Sequence, residues 1–263
     1  MKEIEIKRSL KIIYHLFSEI GFRPLNTINS IKGIPIYLHQ LLQFISASSK
    51  LDSLPAISTL FPSLVDRYEN AGRLDHHYFH QDLWASRKVF EKKPEHHVDV
   101  GSRIDGFVSH VLTFRDIEVL DVRKLTSSIK GMSFRQVDLM QTNTVPENIC
   151  DSLSCLHALE HFGLGRYGDP IDPEGHIKGL QSLKKLLKSG GVLLLSVPIG
   201  KERVEFNAHR IFAVETIISL TNPDFKLYSF SYIDDKGIFH ENVDYTALPE
   251  MVYGCGMFEL IKQ

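Results

Sequence analysis

From residue 96 onward the sequence predicts an α/β fold, a doubly wound and mostly parallel sheet of seven strands with helices on both faces. Three observations carry that expectation. Short apolar runs alternate with helical runs, the pattern of parallel β-α units rather than of hairpins. The run Val98-Asp99-Val100 breaks at Gly101 into a helix start through Ser102-Arg103-Ile104-Asp105-Gly106-Phe107. About twenty residues on, Ile117-Glu118-Val119-Leu120-Asp121 also ends in an acid, at the spacing of a nucleotide-binding βαβ unit.

The strands are expected at His97–Val100, Ile117–Asp121, Ser133–Val137, Ser152–His157, Gly191–Pro198, Lys226–Ile233 and Met257–Lys262. Helices fill several gaps, notably 106–113 and 174–188. No helical run separates the last two strands, so they are expected to pair antiparallel at the sheet edge. Residues 1–95 read differently, as a helical extension or cap. Ile12, Ile13, Leu16, Phe17 and Ile20 lie at helical spacing before Gly21 and Pro24 stop the run. Tyr37, Leu38, Leu41, Leu42, Phe44 and Ile45 suggest a buried helix, and Pro55 and Pro62 break up the stretch after it. Residues 75–93 read as a helix leading into the first strand.

A chain of 263 residues, 43% hydrophobic and 24% charged, can bury a substantial core. Its net charge of -2 gives no broad basic field for nucleic acid. Cys150, Cys155 and Cys255 are odd in number and lack C-x-x-C spacing, which points to a reducing, cytoplasmic setting. The charged start Met1-Lys2-Glu3-Ile4-Glu5-Ile6-Lys7 is unlike a signal peptide. No run reaches the roughly 18 apolar residues of a membrane span. Oligomeric state is not legible.

In this fold Gly101 lets the backbone approach a ligand, and the next helix offers free N–H groups to it. Asp121 stands where such folds bind ribose hydroxyls. Full G-x-G-x-x-G spacing is missing, and Arg103 and Asp105 occupy positions where glycines are common. At the end of the fourth strand come His157, Glu160 and His161. Ligands bind at that carboxyl edge of a parallel sheet, and i,i+3 and i,i+4 spacing puts the three on one side of a helical turn. Two imidazoles and a carboxylate suit a divalent ion, with His209 as a further ligand. Equally, Glu160 and His161 suit capping and loop hydrogen bonds. A polar loop with Tyr167, Asp169, Asp172 and His176 comes next, its shape set by glycine and proline. It reads either as the wall of an acceptor pocket or as a rigid connector. Arg210 could hold an anionic group or a structural carboxylate.

The order of these pieces resembles the class I S-adenosylmethionine-dependent methyltransferases, whose sheet is Rossmann-like. Asp99-Val100-Gly101 looks like their methionine-side loop, and Asp121 matches the ribose acid. Val137-Asp138-Leu139 is similar to the step beside adenine. Asp151 to His161 looks like their fourth strand and its "LEH" ending, and Leu187-Lys188-Ser189-Gly190-Gly191 is close to "LKPGG". The segment Gly163-Leu164-Gly165-Arg166-Tyr167-Gly168-Asp169-Pro170-Ile171-Asp172-Pro173 looks like the signature of the DUF268 family. The resemblance implies S-adenosylmethionine held by Asp99, Gly101, Ser102, Asp121, Val122, Asp138 and Leu139. It implies methyl transfer, to oxygen, on a small polar or sugar acceptor, with surface-polysaccharide synthesis as a setting. His157, His161 and Asp169 are the candidate catalytic groups. His157, Glu160, His161 and His209 resemble the metal cluster of some O-methyltransferases, with a histidine in place of their first glutamate. Two other readings stay open, a nucleotide-binding oxidoreductase and a non-catalytic binding or scaffold protein on the same fold.

Overall fold

The computed structural model describes residues 12–48, 57–69, 72 and 74–263. Residues 1–7, whose charge argued against a signal peptide, and Pro55 lie outside them. The chain divides into two compact units, the second being Leu74–Gln263.

In the first unit, helical residues 12–19 (α1) stop before Gly21, whose φ of +86° suits glycine. The next helix, α2 (Pro24–Ser48), starts on a proline, where the missing N–H has no helical partner to lose. The segment near Leu64 crosses α2 at Gly33, where a Cβ would stand 2.3 Å from the Leu64 carbonyl oxygen. The expected buried helix around Tyr37 and Leu41 is formed but not buried. Tyr37 and Leu41 are half-buried, and Leu38, Leu42, Phe44 and Ile45 are exposed. Among the described residues this unit holds two helices and a short turn, Asp66–Tyr68, too little to close a second layer over α2.

The second unit starts earlier than the sequence suggested. Helix α3 (His76–Lys92) belongs to it because Trp84, Ala85 and Val89 are buried in its core. Strand β1 (His97–Val100) pairs in parallel with β2 (Ile117–Asp121) on one side and β4 (Cys150–Leu156) on the other. β3 (Met132–Gln136) extends the sheet beyond β2, and β5 (Leu187–Ile199) lies beyond β4. A hairpin of β6 (Arg203–Glu205) and β7 (His209–Ile211) follows β5, then β8 (Phe225–Ile233), the two-residue β9 (Phe239–His240) and β10 (Gly254–Lys262). The order is β3-β2-β1-β4-β5-β10-β8-β9. The last two long strands pair antiparallel as expected. β10 slots between β5 and β8, and β9 adds a short antiparallel strand at the outer edge.

Apolar residues cover both faces. Leu180, Leu183 and Leu186 of α5 (Gly175–Leu186) and Ile217 of α6 (Val214–Thr221) pack on one, α3 and the short α4 (Ser109–Leu112) on the other. The helix expected at 106–113 is a wide turn, Ile104–Val108, followed by α4. Gly106 lies against α3, where a Cβ would meet the Asp82 carboxylate at 2.4 Å. At the other end of α3, Lys88 and Lys92 each stand 2.9 Å from the buried Glu259 of β10. No helix among the described residues is long and apolar enough to cross a membrane.

Candidate functional site

After β1 the chain runs outward to β2 and β3, then crosses back to lay β4 on the other side of β1. Where the connections diverge, a crevice opens at the carboxyl ends of the strands. A cleft occupies it, and Gly101, Asp121, Val122, Asp138 and Leu139 line one side. Gly101 has φ +71°, and a Cβ there would stand 3.0 Å from that of Ala158. Only glycine lets this turn stay low under a ligand.

Asp99 and Ser102, expected to touch the cofactor, bind each other beneath the cleft. Ser102 donates its N–H (3.0 Å) and hydroxyl (2.7 Å) to Asp99, and Ser154 donates its hydroxyl at 2.5 Å. Asp99 is therefore a fastener for the Gly101 turn. Burial pushes its carboxyl up to about 6, against those hydrogen bonds. Arg103 and Asp105 pair with each other at 2.9 Å in solvent and do not line the cleft. The glycine-poor loop thus leaves the cleft open.

Asp121 stands at the end of β2 with its carboxylate engaged. Arg123 donates Nε (3.0 Å) and Nη2 (2.6 Å) to it, and the Arg123 guanidinium lies 4.6 Å from the Tyr167 ring centroid. Asp138 caps its own turn, accepting the Met140 N–H at 2.9 Å.

His157, His161, Tyr167 and Asp169 line the opposite side of the cleft. His161 receives burial first and the Glu160 carboxylate second, and the balance lowers its pKa, so it is a neutral imidazole near pH 7. Its Nδ1 donates to the Ala208 carbonyl at 2.7 Å, which leaves Nε2 as the lone-pair nitrogen. Asp169 differs from expectation. Its carboxylate accepts the N–H groups of Gly163, Gly165 and Tyr167, so three of its four lone-pair sites brace its own loop. Arg210 likewise holds carbonyls, those of Glu160, Phe162, Asp172 and Pro173, rather than an anion.

The quartet His157, Glu160, His161 and His209 does not converge on one point. His157 sits in the left-handed region at φ +49° and turns its Nδ1 to Glu160 at 2.7 Å. The Nδ1 of His161 faces Ala208, and His209 faces Glu205 at 3.4 Å. His157 instead stacks on His77 of α3, ring centroids 5.6 Å apart and nearly parallel, with Tyr78 beside it. Burial opposes charge on His157, but Cys255 and Glu160 outweigh it and raise its pKa. Sequence reading did not single out His77 or Cys255 as site residues, because no short-range spacing links α3, β4 and β10.

Strand order, the reversed β10 and the crevice at the β1/β4 divergence define the class I S-adenosylmethionine-dependent methyltransferase fold. The Burkholderia thailandensis 1,6-didemethyltoxoflavin-N1-methyltransferase, solved with bound 1,6-didemethyltoxoflavin and S-adenosylhomocysteine, is similar at TM-score 0.50. It is 13% identical, over 70% of this chain and 80% of that one. The [4+2]-cyclase SpnF is similar at TM-score 0.51 and 16% identity, over 74% and 84%. Likeness at such identities is a likeness of fold. Within the class, the chain belongs to the DUF268 family, described as a Caenorhabditis protein of unknown function, whose model matches residues 97–236. No curated protein sequence matches the chain.

Proposed function

We propose that the chain binds S-adenosylmethionine in the cleft and transfers its methyl group to an oxygen of a small polar or sugar acceptor. One observation carries this reading. The cleft joins a nucleotide-type edge, Gly101 to Asp121 to Asp138, to a neutral His161 on its far wall. The low Gly101 turn fits a cofactor, since a side chain there would fill the cradle.

When bound, the cofactor supplies an electrophilic methyl. The chain's part is positioning and proton handling. Asp121 would take the ribose hydroxyls once Arg123 turns away from it, and Val122, Asp138 and Leu139 would flank the adenine. His161 Nε2 would accept the acceptor's proton as the oxygen attacks. Asp169, through its three loop N–H groups, holds Tyr167 at the acceptor side. His157 serves this reading only through its place beside Glu160.

The test is calorimetric titration of the full chain with S-adenosylmethionine, S-adenosylhomocysteine and NAD. Binding of the first two and not the third is expected. A preference for NAD would return the oxidoreductase reading. One observation favours the scaffold reading, the bidentate Arg123 on the ribose acid. Absence of binding by all three ligands would select it.

A further inference from the structure

We propose that His77, His157 and Cys255 form a site for a zinc-class divalent ion, with Glu160 ordering His157 from behind and a fourth position left for water or an exogenous ligand. Three separate elements bring these groups together. His77 comes from the first turn of α3, His157 from the turn after β4 and Cys255 from the start of β10. One ligand atom from each lies within 4.8 Å of the others. Zinc bonds of about 2.0–2.3 Å in tetrahedral geometry place ligand atoms about 3.3–3.7 Å apart. Closing that gap needs about 1 Å of side-chain movement, which rotation of His77, only half-buried, can supply.

A second observation points to an ion. The Nε2 of His157 is buried with no oxygen or nitrogen to bond to, and its neighbour is the Cys255 thiol. Its other nitrogen, Nδ1, bonds to Glu160 at 2.7 Å and keeps its proton there, so an ion binding at Nε2 would displace the second proton of the ring. A carboxylate behind a histidine, with the far nitrogen left free, is the outer-shell arrangement of metal-bound histidines. The backbone of His157 is fixed as well. Its N–H bonds to Ser196, whose hydroxyl donates to Gln81 of α3, the helix that carries His77.

Charge agrees. Glu160 is 1% exposed and its Oε2 also lacks a partner. Without an ion, the His157 ring beside it supplies the compensating charge, and a bound cation would take over that part as the ring gives up its second proton. A divalent cation, a Cys255 thiolate and the Glu160 carboxylate sum to zero. Sulfur with two imidazoles suits zinc and not magnesium or calcium, which take oxygen. Three protein ligands and an open position are the pattern of catalytic zinc, whereas structural sites are closed by four. His77 and Cys255 lie outside the residues matched by the family model. Of the sequence-derived quartet, His157 is the one ligand shared; His161 Nε2 stands 3.8 Å from Glu160 Oε1, and His209 faces Glu205.

The site does not depend on the methyl-transfer reading, since metal binding is measured without cofactor or acceptor. If both hold, His157 also lines the cleft, and the ion would add a Lewis acid to its acceptor side.

The experiment is titration of the metal-stripped full chain with Co²⁺ in the absence of oxygen, followed by displacement with Zn²⁺. One equivalent is expected to give a thiolate-to-cobalt charge-transfer band with the intense visible bands of four-coordination. Cys255→Ser should abolish the charge-transfer band, and His77→Gln should weaken binding at least tenfold. Glu160→Gln should weaken it about 10–100-fold. His209→Ala should leave the spectrum and affinity unchanged. Circular dichroism checks each fold, and His77→Gln, at a half-buried position, stands as the decisive variant if Cys255→Ser unfolds. Three results would overturn the site. They are no thiolate band in the wild type, a band that survives Cys255→Ser, or metal lost on His209→Ala but kept on His77→Gln.

Discussion

The two sides of the cleft are built differently. The β1–β3 side takes its groups from consecutive strand ends, with Gly101 after β1, Asp121 closing β2 and Asp138 just after β3. Each acid there is already bonded. Asp99 is fastened to Ser102 and Ser154, Asp121 to Arg123, and Asp138 to its own turn. The β4–β10 side draws on α3, the turn after β4 and the start of β10. It keeps buried polar atoms without partners, His157 Nε2 and Glu160 Oε2 among them. A fastened side suits reversible binding of a large ligand on a fixed floor. A side with free buried donors and acceptors suits chemistry, because desolvated groups without partners hold their free energy for a ligand or a transition state.

The sharpest way to break this contrast is His161→Gln. Loss of a general base should lower turnover about 10²–10⁴-fold while S-adenosylmethionine affinity stays within about twofold. Once an acceptor is found by screening polar small molecules and nucleotide sugars, kcat and the cofactor Kd together check it. Equal loss in both would mean that the two sides are one device.

Asp99 tests the fastened side by pH. Its folded-state value of about 6 stands above the ordinary 3.8, so the native state keeps this proton longer than the unfolded chain does. That contribution is present below about pH 4 and is lost as pH climbs toward 6, about 3 kcal/mol in all. The Tm of Asp99→Asn should therefore rise relative to wild type between about pH 4 and 6. A flat difference would show that Asp99 is solvated and fastens nothing, and a falling one that its hydrogen bonds to Ser102 and Ser154 outweigh burial.

Asp121→Ala should weaken S-adenosylmethionine binding by about 1.5–3 kcal/mol, read by calorimetry, with no change in Tm beyond a few degrees. Unchanged affinity in a folded variant would move the ribose elsewhere in the cleft. The smallest effect belongs to Arg123→Leu. Removing a half-exposed ion pair that competes for the ribose acid should tighten cofactor binding by about 0.5–1 kcal/mol, roughly two- to fivefold. Weaker binding would instead make Arg123 a direct cofactor contact.

The same contrast governs what is legible in the sequence. β1, β2 and the start of the β4 turn are legible because an apolar run ending in an acid or glycine records both the strand and its functional edge in a few adjacent letters. The Cys255–His77–His157 group is not, since it exists only after β10 inserts between β5 and β8 and α3 packs behind. Neither insertion leaves a local pattern. Asp169 misleads for a related reason. A carboxylate in a glycine-rich loop can face a ligand or its own backbone, and composition does not say which. For α2 the periodicity around Tyr37–Ile45 predicts the helix correctly, but an apolar stripe states what a helix would bury, not whether another layer exists to cover it.

The lysine pair on Glu259 has a consequence for the opposite end of α3. From His77 to Lys88 the helix rises about 16 Å. From Cys255 to Glu259 the strand extends about 14 Å. Helix and strand are thus pinned at two points of nearly equal spacing, by ion pairs at one end and by the histidine–cysteine approach at the other. Between those ends Trp84, Ala85 and Val89 bury the middle of α3 in the core, so helix and strand are joined along the whole span. Removing either lysine would leave the buried Glu259 short of counter-charge, so the cost would fall on the seam between α3 and β10.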